Sequence, residues 1–192
     1  FMRFMLSDGA GAVLVQDHPE GICPLKIEWV DMTSYANELP TCMFMASELQ
    51  EDGRLKSWKE FSPNEIKERA VLVGKQDIRQ LKKYIIKYWV DHIETVLAKH
   101  HVKAEEIDYI IPHVSSMFFY EKLNDEIAAR NIALTKEKWF TNLTSVGNIG
   151  SAAIYVALEE LIRTKEIKRG NKILLLVPES GRFSYGTVLL SV

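Results

Sequence analysis

The chain has 192 residues, of which 47% are hydrophobic and 26% are charged, and its formal net charge at pH 7 is −2. These values are ordinary for a globular protein with a sizeable core, and the near-neutral charge gives no reason to expect a nucleic-acid surface. No hydrophobic run approaches the ~20 residues that span a bilayer, and Cys23 and Cys42 do not form a disulfide framework. We therefore expect a cytoplasmic protein that binds neither nucleic acid nor membrane and contains no metal site.

The first fifteen residues predict two strands with a glycine turn between them. Residues 1–6 and 13–15 are hydrophobic and strand-like, and Gly9 and Gly11 lie between the two runs. The glycine pair does not predict a dinucleotide site, because the third glycine of that fingerprint is missing and no helix follows. Residues 25–31 alternate well enough to predict another strand.

The middle of the chain predicts a loop and then two helices. Residues 32–62 show no regular period, which is typical of a functional loop or lid. Ser62 and Glu65 predict a capping box, with Pro63 at the first helical position. A long helix is predicted over residues 77–99, with a hydrophobic stripe at spacings of three and four formed by Ile78, Leu81, Ile85, Trp89, Ile93 and Val96.

The second half predicts alternating strands and helices, and because no linker-like segment occurs in the sequence we expect the chain to form one compact unit. Strands are expected at residues 108–113 and 172–177, helices at 115–130 and 149–165, and a glycine-bearing hairpin at 179–192. This order indicates an α/β layer sandwich.

Two polar residues stand out at the ends of these predicted elements. The strand at residues 108–113 ends in Pro112-His113, which would bring the imidazole of His113 to the rim of the sheet. A turn at Gly147-Asn148 precedes a run of small residues and is expected to open the next helix. Histidine and asparagine at such a rim can stabilise a carbonyl oxygen that becomes negative during a reaction. A structural histidine and a helix-capping asparagine are the alternatives.

The sequence offers these two residues no obvious nucleophile. A reactive thiolate needs a helix N-terminus or a neighbouring cation to lower its pKa. Cys42 has no clear helix start beside it, and Cys23 precedes Pro24 on the approach to a strand. We predict that both cysteines are small buried side chains.

Four segments in order resemble the thiolase-like condensing enzymes, most closely the β-ketoacyl-acyl-carrier-protein synthase III branch. They are residues 8–12, residues 111–113, Gly147-Asn148 before small residues, and the terminal glycine hairpin. The resemblance implies an α/β thiolase-like fold, in which this chain is one βαβαββ-type half of a five-layer αβαβα sandwich. Residues 1–31 would be the terminal strands of the N-terminal half, and residues 32–192 the C-terminal half.

The resemblance also implies a reaction in fatty-acid or lipid biosynthesis. An acyl thioester would undergo Claisen condensation with a malonyl or β-ketoacyl thioester, and His113 and Asn148 would stabilise the enolate. The nucleophilic cysteine would lie in a missing N-terminal half, so the chain alone should be inactive. The substrates would be thioesters of coenzyme A or acyl carrier protein, no cofactor would be needed, and the full-length enzyme would be a homodimer.

Departures from the branch leave alternatives open. Gln-Ala-Asn usually follows the histidine, where this chain has Val114-Ser115-Ser116, and Glu179 stands in the normally glycine-rich hairpin. Glu179 could be a base in a condensing and cyclising enzyme of aryl-lipid (dialkylresorcinol-type) biosynthesis. A non-catalytic partner subunit that binds acyl chains is the third possibility.

The residues expected to contact substrate are Ser115, Ser116, Gly147, Ser180 and Gly181.

Overall fold

The computed structural model describes residues 5–18 and 24–192, which form two compact units rather than the single one expected. The first, called the sheet unit, contains the described residues up to 33 together with 86–178 and 185–192. The second, called the hairpin unit, contains residues 34–85 and 179–184. The division into two condensing-enzyme halves at residue 31 stays a prediction.

A four-stranded sheet forms the centre of the sheet unit. Its strand order is β1-β8-β7-β6, where β1 is Lys26–Ser34, β6 is Tyr109–Pro112, β7 is Lys172–Glu179 and β8 is Ser184–Ser191. Strands β6 and β7 are parallel, and β7 and β8 are antiparallel because only the four residues 180–183 join them. The strands expected in these four regions are therefore confirmed.

Five α-helices occur in the described part of the chain. The capping box at Ser62 and Glu65 is confirmed, since each residue accepts a hydrogen bond from the backbone N–H of the other. The predicted stripe of the long helix is buried except for its first residue, Ile78, which is exposed. The helices are α1 (Pro63–Glu68), α2 (Ile78–Lys99), α3 (Met117–Ala129), α4 (Leu143–Val146) and α5 (Ala153–Thr164).

Helix α5 covers one face of the sheet and forms a core with it. Its residues at positions 154, 157, 158 and 161 lie on one side of the helix, because their spacing follows the helical period. They pack against hydrophobic side chains of β6, β7 and β8. The buried residues of this cluster are Ile111, Ile154, Ala157, Leu158, Leu161, Ile173, Leu175 and Leu190.

The hairpin unit is ordered where a structureless lid was expected. Strand β2 (Met43–Phe44) pairs with β5 (Lys75–Gln76), and β3 (Ser47–Leu49) pairs with β4 (Leu55–Ser57), both antiparallel. These strands have two or three residues, too few for an alternating pattern to be visible in the sequence. The prediction of a loop over residues 32–62 was therefore wrong.

The glycine turn predicted near the start of the chain is also absent. Residues 6–16 contain no strand, and residues 1–4 lie outside the described part of the chain. Gly9 and Gly11 instead allow a close approach to another segment. A Cβ atom on Gly9 would lie 2.8 Å from Cδ1 of Ile149, and one on Gly11 would lie 2.8 Å from Cβ of Tyr155.

Neither a membrane span nor a metal cluster is found in residues 5–18 and 24–192. No helix there combines the length and the hydrophobicity needed to cross a bilayer. Nor do three or more His, Cys, Asp or Glu side chains in those residues come together as metal ligands.

Candidate functional site

His113 lies directly after the carboxyl end of β6. Its backbone N–H donates to the carbonyl oxygen of Leu176 at 2.8 Å, which extends the parallel ladder with β7 by one residue. The ring is half-buried, and burial lowers the pKa of His113 because the charged imidazolium loses hydration. The imidazole is therefore neutral at neutral pH and has one N–H to donate.

Gly147 ends a short helix rather than opening a long one. Helix α4 stops at Val146, and Gly147 has a φ of +83°, a conformation that side-chain-bearing residues rarely adopt. A 3₁₀ turn at Gly150–Ala152 follows, and α5 begins only at Ala153. The helix expected after the Gly-Asn pair therefore begins as a 3₁₀ turn, whereas the short helix α4 before the pair was not recognised in the sequence.

Asn148 is a buried polar residue, with 8% of its surface exposed. Its side-chain Oδ1 accepts the backbone N–H of Gly150 at 3.1 Å, which identifies the other side-chain atom as the NH₂ group. In the described part of the chain, Nδ2 of Asn148 has no hydrogen-bond partner, so it remains available as a donor.

His113 and Gly147 line the same small cavity, which has a volume of about 20 Å³. Such a volume is large enough for a water molecule. Three segments form its walls: the end of β6, residues 141–147 and the start of α5. The lining residues are Ile111, Pro112, His113, Val114, Thr141, Asn142, Leu143, Gly147, Ala153, Ile154 and Ala157.

Asn142 is a lining residue that the sequence interpretation missed. Its backbone carbonyl accepts the N–H groups of Ser145 and Val146, and its side-chain Nδ2 donates to Oε2 of Glu160 on α5 at 2.7 Å. This bond links the start of α4 to α5 beside the cavity. Asparagine is common just before a helix and glycine just after one. The five-residue spacing from Asn142 to Gly147 could therefore have predicted the short helix α4.

Ser115 and Ser116 follow His113 and are half-buried, but they do not line the cavity. Ser116 is the N-cap of α3, and its carbonyl accepts the N–H groups of Phe119 and Tyr120. Its hydroxyl makes no capping hydrogen bond. A contact of either serine with substrate stays a prediction.

Glu179, Ser180 and Gly181 belong to the hairpin unit, where each one is bound to other residues of that unit. The carboxylate of Glu179 accepts the backbone N–H of Gly181 and, at 3.0 Å, that of Arg182. Ser180 Oγ accepts from Nε2 of Gln76 at 3.1 Å, and the carbonyl of Gly181 accepts the N–H of Cys42 at 2.9 Å. Glu179 therefore stabilises its own turn, and its contact with Arg182 is through the backbone.

Cys42 is completely buried, and its thiol donates to the carbonyl oxygen of Asp77 at 3.3 Å. Burial raises the pKa of this thiol to about 11, so the reactive thiolate is scarce at neutral pH. This agrees with the interpretation of Cys42 as a small buried side chain. Cys23 lies outside the described residues.

Comparisons with known proteins identify a matching family. The model of the family described as 3-Oxoacyl-[acyl-carrier-protein (ACP)] synthase III C terminal matches residues 97–192, which include His113 and Asn148. The Beta-ketoacyl-[acyl-carrier-protein] synthase III of Clostridium acetobutylicum is 31% identical over 112 residues, covering 58% of this chain and 33% of that protein. The corresponding protein of Clostridium perfringens is 28% identical over 188 residues, and the match covers 98% of this chain and 52% of that protein.

A solved structure of a similarly named protein has a similar fold. The crystal structure of 3-oxoacyl-[acyl-carrier-protein] synthase III from Aquifex aeolicus superposes with a TM-score of 0.62 at 25% sequence identity. The match covers 90% of this chain and 46% of that one. The chain thus spans about half the length, or less, of the relatives that it matches.

Proposed function

We propose that this chain, which belongs to the 3-oxoacyl-[acyl-carrier-protein] synthase III C-terminal family and has its thiolase-like α/β fold, is the enolate-stabilising half of a condensing enzyme. One observation carries the proposal. His113 and Gly147 line one small cavity at the end of a buried strand, and the amide Nδ2 of the next residue, Asn148, has no partner in the described part of the chain.

The proposed reaction forms a carbon–carbon bond in two stages. A cysteine outside these 192 residues first attacks an acyl thioester, expels the thiol and becomes acylated. A malonyl thioester then loses CO₂, and the electron pair of the broken bond forms an enolate on the remaining thioester. The α-carbon of this enolate attacks the acyl-cysteine, the cysteine thiolate leaves, and a β-ketoacyl thioester is released.

His113 and Asn148 would act on the enolate oxygen. Each can donate one hydrogen bond: His113 because its ring is neutral, and Asn148 because its Oδ1 is already occupied. Donors held in position before the reaction need no reorganisation when the charge develops, and removal of one such donor typically lowers the rate about 10²- to 10³-fold.

Decarboxylation is the variant that we propose. A cyclising reaction between two β-ketoacyl thioesters would need a base such as Glu179, but both carboxylate oxygens of Glu179 already accept hydrogen bonds from backbone N–H groups of its turn.

We place the full-length protein in the cytoplasm as a homodimer that takes thioesters of coenzyme A or an acyl carrier protein.

The test uses the natural full-length protein with an acyl-coenzyme A and malonyl thioesters. We expect His113→Ala and Asn148→Ala each to lower CO₂ release by about 10² or more, while intact mass still shows acylation of the cysteine. Matched controls are His101→Ala and Asn171→Ala, since His101 is exposed and Asn171 accepts a hydrogen bond within its own turn. Both controls should stay within about twofold of the parent, because neither removes an oxyanion donor.

Two results would contradict the proposal. Unchanged CO₂ release in both variants would remove His113 and Asn148 from the reaction. A natural protein that gains no acyl group would instead support the non-catalytic partner subunit.

A further inference from the structure

A surface segment at the start of the chain lies along the loop that carries Asn148. It consists of residues 7–11, Ser7-Asp8-Gly9-Ala10-Gly11, and is called the strap. The strap contacts residues 147–155, from the end of α4 to the first turn of α5. All of these residues belong to the sheet unit.

The side chain of Ser7 packs against Gly147, the residue that precedes Asn148. Its hydroxyl Oγ fills the space beside the Cα atom of Gly147, where any Cβ atom would clash with it. Gly147 also has the left-handed φ of +83° that ends α4. The direction in which the chain leaves α4 is therefore fixed both by backbone conformation and by the strap.

Ser7 also binds Asn148 directly. The backbone N–H of Ser7 donates to the backbone carbonyl of Asn148 at 2.7 Å, a short and strong bond of its type. Together with the bond from Gly150 N–H to Oδ1 at 3.1 Å, it occupies both carbonyl oxygens of Asn148, and the side-chain NH₂ has no partner among the described residues. The backbone and the amide orientation of Asn148 are thus held by two separate donors.

The glycines keep the strap close to the loop. A Cβ atom on Gly9 would lie 2.9 Å from Cβ of Ile149, a branch point that cannot swing away. A Cβ atom on Gly11 would lie 2.8 Å from Cβ of Tyr155 and 3.3 Å from the carbonyl oxygen of Ala152. Larger residues at either position would push the strap off the loop and lengthen the Ser7–Asn148 bond.

We infer that the strap is a positioning element for Asn148, and that Ser7 acts through its backbone N–H on the donor rather than on substrate. This inference rests on the proposed function of Asn148. A displacement of about 1 Å at a reacting group can lower a rate about 10²-fold, so loss of the strap contact is expected to lower kcat.

The first test compares Ser7→Pro with Ser7→Ala in the natural full-length protein. Both variants lose the hydroxyl, but only Ser7→Pro also loses the backbone N–H that binds Asn148. We expect Ser7→Pro to lower kcat for CO₂ release from a malonyl thioester by about tenfold or more, with KM and cysteine acylation unchanged. Ser7→Ala should stay within about threefold, since the hydrogen bond to Asn148 remains.

Gly9→Ala serves as a second variant, because Ser7→Pro can also disturb folding. Ala10→Ser is its matched control: each adds one heavy atom to the strap, and Ala10 is exposed. We expect Gly9→Ala to lower kcat and Ala10→Ser to leave it unchanged. In the Asn148→Ala background, Gly9→Ala should have no further effect, because the donor on which the strap acts is gone.

The outcomes separate this inference from the proposed function. If Asn148→Ala lowers CO₂ release but Gly9→Ala does not, the strap inference is wrong and the proposed function stands. If Gly9→Ala lowers the rate equally with and without Asn148, the strap has only a general structural role. If Asn148→Ala has no effect, the proposed function itself fails.

Discussion

At the scale of single residues, His92 shows how a buried titratable group is accommodated. Its ring is fully buried, with Nδ1 at 3.1 Å from Oγ1 of Thr33 and Nε2 at 2.9 Å from Oγ1 of Thr187. Both ring nitrogens are therefore satisfied without a charge. Burial lowers the pKa of His92, and the negative charge of Asp31 offsets this only in part.

This environment predicts that stability falls in acid. Because its folded-state pKa lies below the unfolded value of about 6.5, His92 takes up a proton more readily in the unfolded chain. Its contribution is fully present above that pH and is lost as the pH falls below it. We expect His92→Gln to reduce the loss of Tm between pH 7.5 and pH 5.5, measured by calorimetry.

The matched control is His101→Gln, since His101 is exposed and its substitution should preserve the parent's pH dependence. Equal pH dependence in His92→Gln and the parent protein would contradict the prediction.

At the scale of secondary-structure elements, Arg130 joins two helices. It follows the end of α3, and its guanidinium contacts Asp91 at 2.6 Å and Glu94 at 2.7 Å on α2, and Glu126 at 2.8 Å on α3. These carboxylates raise the pKa of Arg130 despite its partial burial. The Arg130 side chain is 22% exposed, so these contacts are screened less than those of a surface ion pair.

Removal of this arginine is expected to destabilise the protein. Arg130→Ala leaves three carboxylates without their shared cation, and we expect a loss of about 2 kcal/mol in the free energy of unfolding, measured with urea. Arg130→Lys should recover part of this, because lysine keeps the charge but not the planar fork.

Arg163 provides the comparison on an exposed surface. It is 3.6 Å from Glu159, and the two side chains are 64% and 66% exposed. Arg163→Ala should change the free energy of unfolding by less than about 0.5 kcal/mol, as is usual for exposed pairs. Similar losses of unfolding free energy in Arg130→Ala and Arg163→Ala would show that partial burial does not strengthen the contacts of Arg130.

The elements also differ in how far the sequence could predict them. The helix α2 and the capping box of α1 were predictable because their signals lie within a few helical turns. The strap was not, since Gly9 and Gly11 are required by the distant residues Ile149 and Tyr155 rather than by a local turn. Glycines that allow close approach and glycines that form turns look the same in a sequence.

The candidate site was predictable to a similar extent. His113 and the Gly147-Asn148 pair could be singled out because each follows a recognisable local pattern. The cavity wall formed by Asn142, and its link to Glu160, depends on how α4 packs against α5. Such packing between separate segments leaves no periodic mark in the sequence.

At the scale of the whole molecule, the chain has candidate oxyanion donors but no suitable nucleophile in the residues that the structure describes. Cys42 is buried, and its pKa is raised to about 11. We predict that the 192 residues alone neither condense thioesters nor become acylated, whereas the natural full-length protein gains one acyl group. Intact mass spectrometry with an acyl-coenzyme A measures both. An acyl group on Cys42 in the isolated chain would contradict the prediction.

The buried contact of His92 with two threonines has a consequence for how the protein can evolve. Thr33, His92 and Thr187 come from β1, α2 and β8. Replacement of one by a hydrophobic residue would leave a buried polar group unsatisfied, at a cost of about 1–3 kcal/mol. Lineages that change one position alone must therefore pass through a less stable ancestor. We expect the three residues to be inherited as a set, and free variation at position 92 beside two unchanged threonines would refute this.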